Sequence, residues 1–130
     1  MVINIIRSRL TELPLPIFDS FVTDEEMQDT YILVVAPGFA RGVDETMDGS
    51  PSAVDVIVRA VGVSPGQVRA LLDSVRERIR GVRELSDGRW WSFHWDGSPR
   101  PVQMDQQSKN SLGTFPVWLD DEYTVYVEKE

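Results

Sequence analysis

The residues able to do chemistry in this 130-residue chain are few, and its single histidine is the natural place to begin. His94 is followed by Trp95 and Asp96. On an extended strand, residues two apart share a side, so His94 and Asp96 are expected to lie together. As a metal site they supply two ligands where about four are usual. As an acid–base pair they have no nucleophile motif beside them. The chain spells no GxSxG elbow and no phosphate-binding GKS or GKT, and Gly38 to Gly42 does not form a dinucleotide fingerprint. There is no cysteine, which excludes disulfides, thiolate zinc sites, iron–sulfur clusters and cysteine nucleophiles. The pair therefore reads as a strand histidine beside a turn aspartate. No catalytic residue, no metal ligand and no cofactor site is expected.

Two acidic clusters, Asp24-Glu25-Glu26 and Asp120-Asp121-Glu122, lack the alternating spacing and central glycine of a calcium loop and read as solvated turns. The aromatic run Trp90, Trp91, Phe93 and Trp95 puts the last three on one face of a strand and Trp90 on the other. A base-stacking platform needs flanking cations, and only Arg89 and Arg100 are near. Core packing is the reading, with a subunit interface as its competitor because Trp anchors are enriched there.

These residues need elements to position them. The length allows one domain, residues 1–130, and 42% hydrophobic residues argue against wholesale disorder. The formal net charge of -8 argues against tight nonspecific binding to a phosphate backbone. The N-terminal apolar run is too short for a signal peptide, and no stretch is long and apolar enough to span a bilayer, so no membrane partner is expected.

Spacing predicts a helix over Val2 to Glu12, with Ile3, Ile6, Leu10 and Leu13 on one face and Pro14 and Pro16 ending it. A short strand at Ile17 to Phe21 and another at Thr30 to Val35 follow. Residues 37–52 form a long loop holding Asp44, Glu45 and Asp48. Ala53 to Val63 is a strand, with Val54, Val56 and Val58 alternating with Asp55, Ile57 and Arg59. A helix then runs from the Ser64 cap to Arg80, with Pro65 in its first turn, Gln67 completing a capping box and Gly81 as its stop.

In the last third, Asp87-Gly88 and Asp96-Gly97 are turns that bound the aromatic strand. Arg100 to Met104 is expected to pair with that strand, and residues 106–114 are a polar loop. Phe115 to Glu128 closes the chain as a strand, with Tyr123, Val125 and Val127 on one face and Thr124 and Tyr126 on the other. The expected fold class is α+β: a mainly antiparallel sheet with two principal helices packed on one face.

On the second helix, Arg69, Asp73, Arg76 and Arg80 fall within one narrow stripe beside the apolar face, at 100° per residue. Residues 17–50 carry eight acids against one base, Arg41. Separated charge zones let copies associate head to tail. The alternative is that these arginines are solvated or paired locally with Asp73 and Glu77.

The order of elements resembles the tail terminator proteins of long-tailed bacteriophages over nearly the whole chain. The block DVIVRAVG to VRALLDSVRERI, a strand followed by a helix, and the terminal FPVWLDDEYTVYVEKE carry the resemblance. Small phage neck and minor capsid proteins share the pattern, which brings no catalytic residues with it. It implies a homo-oligomeric ring, usually a hexamer, that caps the tail tube, stops its polymerisation and offers the surface for head–tail joining. The implied partners are the tail tube protein and the head-completion or connector protein. The implied location is the virion tail or neck, assembled in the host cytoplasm. DNA is expected to pass through without specific binding, since six subunits at -8 would carry roughly -48 around the channel. The expected subunit interface sets Arg69, Arg76 and Arg80 against Asp44, Glu45 and Asp48 of a neighbour, and reversing Arg76 and Arg80 to Glu is expected to spare the fold. Two rivals remain: an acidic, immunity-type module that masks a basic partner, and an enzyme using His94 and Asp96 within a pocket.

Overall fold

The structure is a computed structural model that describes residues 2–20, 29–36, 52–106, 109, 113 and 115–129. The Asp24-Glu25-Glu26 cluster, Asp44, Glu45 and Asp48, and most of the two expected loops lie outside the described residues.

The chain begins with α1 (Val2–Arg9), three residues shorter than the spacing predicts. The backbone continues in turns, with Leu13 N–H donating to Leu10 O. Val2, Ile5, Ile6 and Leu10 are buried, while Ile3 and Leu13 are only partly so. The buried face is set by Val2, Ile5 and Ile6, at spacings of three and four, so Ile5 rather than Ile3 enters the core.

The strands β1 (Ile17–Asp19) and β2 (Tyr31–Val35) pair in parallel. The next strand, β3 (Ser52–Gly62), is antiparallel to β2 and leads into α2 (Pro65–Ile79). That junction is built by side chains. Ser64 caps α2 by accepting from Gln67 N–H, as expected. The returning half of the motif lands one residue earlier: Gln67 Oε1 accepts from Val63 N–H at 2.7 Å, and its amide donates to Thr30 Oγ1. Gly62 leaves room for this arrangement, since a Cβ there would displace the Gln67 amide and crowd Val68.

After α2 comes β4 (Arg83–Ser86), for which residue spacing provides no signal, then β5 (Arg89–Gly97). Asp87 and Gly88 join them with positive φ at both positions, the geometry of a two-residue type I′ hairpin turn. At the other end of β5, Asp96-Gly97 is a register shift inside the strand pairing, not the expected turn. Gln103–Met104 forms β6, which pairs with β7 (Val117–Lys129) and not with the aromatic strand.

The sheet order is β1-β2-β3-β7-β5-β4, with β6 beside the first residues of β7. The fold is thus α+β, with a mixed, mostly antiparallel sheet and two helices, as the patterning predicts. Strand alternation directs Val56, Val58, Ala60, Leu119, Tyr123 and Val125 into one cluster with Val68, Leu72, Val75 and Ile79 of α2. Trp91 and Phe93 join that cluster, so two members of the aromatic run are core residues. No described helix is long and apolar enough to cross a membrane.

Candidate functional site: an arginine-lined groove beside a buried ion pair

Alternation along β7 places Asp121 on the same side as Leu119 and Tyr123, facing the core. The carboxylate is 0% exposed. An isolated buried charge costs several kcal/mol, so it needs a partner. Arg76 of α2 supplies one: its Nε and Nη2 donate to Asp121 at 2.9–3.1 Å. The Ser98 hydroxyl donates to the same carboxylate. The third guanidinium nitrogen of Arg76 donates to Asp73 Oδ1 at 2.9 Å, one turn back along the helix. Burial works against the charge on Arg76, yet the hydrogen bonds and charge of Asp121 outweigh it and hold the guanidinium above its ordinary pKa.

Trp95 completes the cluster. The guanidinium carbons of Arg76 and Arg80 lie 4.2 and 4.9 Å from its ring centroid, within cation–π range. Tyr123 lies under the same network. Its phenol is pushed well above its ordinary value, first by burial and then by the negative charge of Asp121.

The arrangement corrects two expectations. Asp120-Asp121-Glu122 is the middle of β7 and not a solvated turn. The strand pattern read over Phe115 to Glu128 already ran through these residues; the charge cluster taken alone suggested a turn, because two adjacent aspartates are rare inside a strand unless each is paired. The expectation that reversing Arg76 to Glu spares the fold is replaced by its opposite: a second carboxylate would face buried Asp121, so a loss of stability is expected. Local pairing with Asp73, the alternative weighed for this stripe, is present.

Beside this pair, α2 and the segment between β5 and β6 border a groove of about 330 Å³. Arg69, Arg76 and Arg100 line it together with Asp73, Ser98 and Leu119. Arg69 and Arg100 are exposed and form no ion pair or hydrogen bond with any described residue. The stripe read from the sequence therefore divides into three. Arg69 opens onto the groove, Arg76 is held inside the fold, and Arg80 is stacked on Trp95. Arg100 was not among the expected interface residues. It sits 31 residues away from Arg69 in sequence, so no helical period could link the two.

His94 and Asp96 do share a side, with Nε2 to Oδ1 at 3.5 Å. They are not part of the arginine groove. His94 is 65% exposed, and the other oxygen of Asp96 accepts from Thr124 Oγ1 at 2.6 Å. Burial of His94, the outcome that would exclude an enzymatic role, is not what is found. Among the described residues there is no group of three or more His, Asp or Glu placed to hold a metal ion.

Comparison with protein families finds no match, and no curated protein matches the chain.

Proposed function

We propose that this protein is a structural assembly component, a tail terminator of a long-tailed phage or prophage, with both helices packed on one face of its sheet. In this reading it forms a ring, hexameric by resemblance, that caps the tail tube, ends its polymerisation and presents the head–tail joining surface. The observation that carries the reading is the pairing of the two segments behind the resemblance. Strand β3, which runs straight into α2, and the closing strand β7 are antiparallel partners from Ser52↔Val127 to Gly62↔Val117. They make one continuous unit at the centre of the sheet. Support for the helix placement comes from the core, where Ile5, Ile6 and Leu10 share a cluster with Val68, Leu72 and Val75.

The chemistry is compatible with work done by shape and contact. An acidic ring repels the DNA it passes, while Arg69 and Arg100, which form no ion pair with any described residue, are suited to neighbouring carboxylates. The test is electron microscopy of the purified protein, alone and mixed with tail tubes. Rings, and tubes whose tips are capped, are the expected result. Particles that remain single at every concentration and leave tube tips bare would overturn the reading, and capture of a cationic protein by such a monomer would favour the acidic binding module.

A further inference from the structure

We propose that the outer edge of β4 is a self-association surface: a second copy of this chain lays its own β4 against it, antiparallel, about a two-fold axis through Leu85, so that two sheets become one. The contact stands apart from the ring reading above.

A sheet ends in two edges, and each carries backbone N–H and C=O groups with no strand beside them. Here the edges are β1 and β4. They differ in how they are covered. On β1, Ser20 N–H donates to Val34 O and Pro16 O accepts from Ile32 N–H. The even-numbered residues therefore face β2, and Ile17 faces outward. Its carbonyl is occupied by Arg7 of α1, at 3.1 Å. On β4, Val82 O accepts from Phe93 N–H, and Ser86 pairs with Arg89 across the two-residue turn. Antiparallel ladders alternate. Val82, Glu84 and Ser86 thus direct their backbone groups to β5, while Arg83 and Leu85 direct theirs outward. Among the described residues, no strand pairs with that side of β4.

The side chains suit a second copy. Leu85 is 43% exposed, on the face it shares with its direct partner Trp90. The edge is short and charged, which ordinarily discourages pairing, but in one register its charges attract. With Leu85 opposite Leu85 of the second copy, Arg83 stands opposite Asp87, and Glu84 opposite Ser86. Leu85 then forms a hydrogen-bonded pair with its counterpart, each N–H donating to the other's carbonyl. A register with Glu84 on the axis would set two carboxylates side by side, which is unfavourable. Arg83 is already positioned for its part. Its guanidinium carbon lies 4.0 Å from the Trp90 ring centroid, and stacking occupies the flat face while leaving the donor edge open to a carboxylate. Glu84 does not compete for it, because Arg9 holds that carboxylate at 2.8 Å. The same residues serve both copies, so the contact is isologous and closes as a pair.

The chain has no cysteine, so one introduced thiol reports the contact. Residues opposed in a hydrogen-bonded pair have Cα atoms about 5.5 Å apart, within reach of a disulfide. Leu85→Cys is expected to crosslink on mild oxidation at least about tenfold faster than Met104→Cys, an exposed site on β6, because pairing raises the effective thiol concentration. A second variant reads mass. Leu85→Pro removes only an outward N–H, which a sheet edge tolerates. Thermal melts should show a folded chain, while light scattering after size exclusion shows the mass falling about twofold. If that variant misfolds, Arg83→Asp sets like charges opposite each other at both ends and gives the same readout. Crosslinking of Leu85→Cys no faster than that of Met104→Cys, or a wild type no heavier than the folded variant, would overturn the contact. Faster crosslinking through Glu84→Cys would put Glu84 on the axis and overturn the proposed register. Rings or capped tubes without the Leu85→Cys crosslink would overturn this contact alone, whereas a crosslinked pair that forms no ring would support it and count against the ring reading.

Discussion

Asp120 and Asp121 are neighbours in sequence and occupy opposite faces of β7, which makes them a natural pair of experiments. Asp121 points to the core and meets an arginine brought from a helix 45 residues away. Asp120 points to the other face and meets Arg59, its direct cross-strand partner on β3. Both pairs are bidentate: Arg59 Nε and Nη2 reach Asp120 at 2.8 and 3.0 Å. Both arginines lie over a tryptophan, Arg76 over Trp95 and Arg59 over Trp118. What differs is access to water. Asp121 has none and Arg76 keeps 21% of its side chain exposed, whereas Asp120 keeps 11% and Arg59 35%. The same two-residue sequence thus forms one ion pair that the fold depends on and another that solvent can partly replace.

Removal of single partners should expose that difference. Arg76→Ala leaves a buried, uncompensated carboxylate and is expected to cost about 3–5 kcal/mol in urea unfolding. Asp120→Ala frees an arginine that can turn toward water, so about 1–2 kcal/mol is expected from the same measurement. Equal costs would mean that solvent access does not separate the two pairs and would break the comparison.

The smallest effect concerns alkaline pH and sharpens the account of the Asp121 side. The folded protein holds the Tyr123 phenol above its ordinary value of 10.0, so the native state keeps a proton that the unfolded chain has already released. By linkage, the contribution is fully present below pH 10 and is lost as pH rises through the folded value. Tyr123→Phe should therefore make the decline in stability above pH 10 shallower. Part of the decline should persist, because burial also raises Tyr31. A Tyr123→Phe profile parallel to the wild type would show that burial near Asp121 does not govern this titration.

How much of this was legible in the sequence varies by element. The strand β3 and the helix α2 were plain, because alternation and three- and four-residue spacing are local signals, and Ser64 and Gln67 announce the helix start. The Asp87-Gly88 turn was equally readable, since few residue pairs accept positive φ twice in succession. Three features were not. The length of α1 depended on where the chain had to leave the helix to begin β1. The partner of β6 was expected to be the aromatic strand and is β7, a pairing that residue spacing does not encode. The Asp120-Asp121 pair resembled a turn because its charges are stabilised only by residues far along the chain.

The candidate site follows the same division. The basic stripe on α2 could be seen in the spacing of Arg69, Asp73, Arg76 and Arg80, but the spacing treated its arginines as equivalent. Only the packed sheet separated them, by placing Asp121 beneath Arg76, Trp95 beneath Arg76 and Arg80, and Arg100 across the groove from α2.

The sequence by itself determined the element types, the alternation of faces and the surplus of negative charge, all of which follow from residues close together on the chain. Tertiary structure alone decided which charges are internal and which are free, because that depends on strand register and on the helix that crosses it. Pairing energies between distant residues exist only once the backbone has brought them within hydrogen-bond reach, and no local pattern encodes that approach.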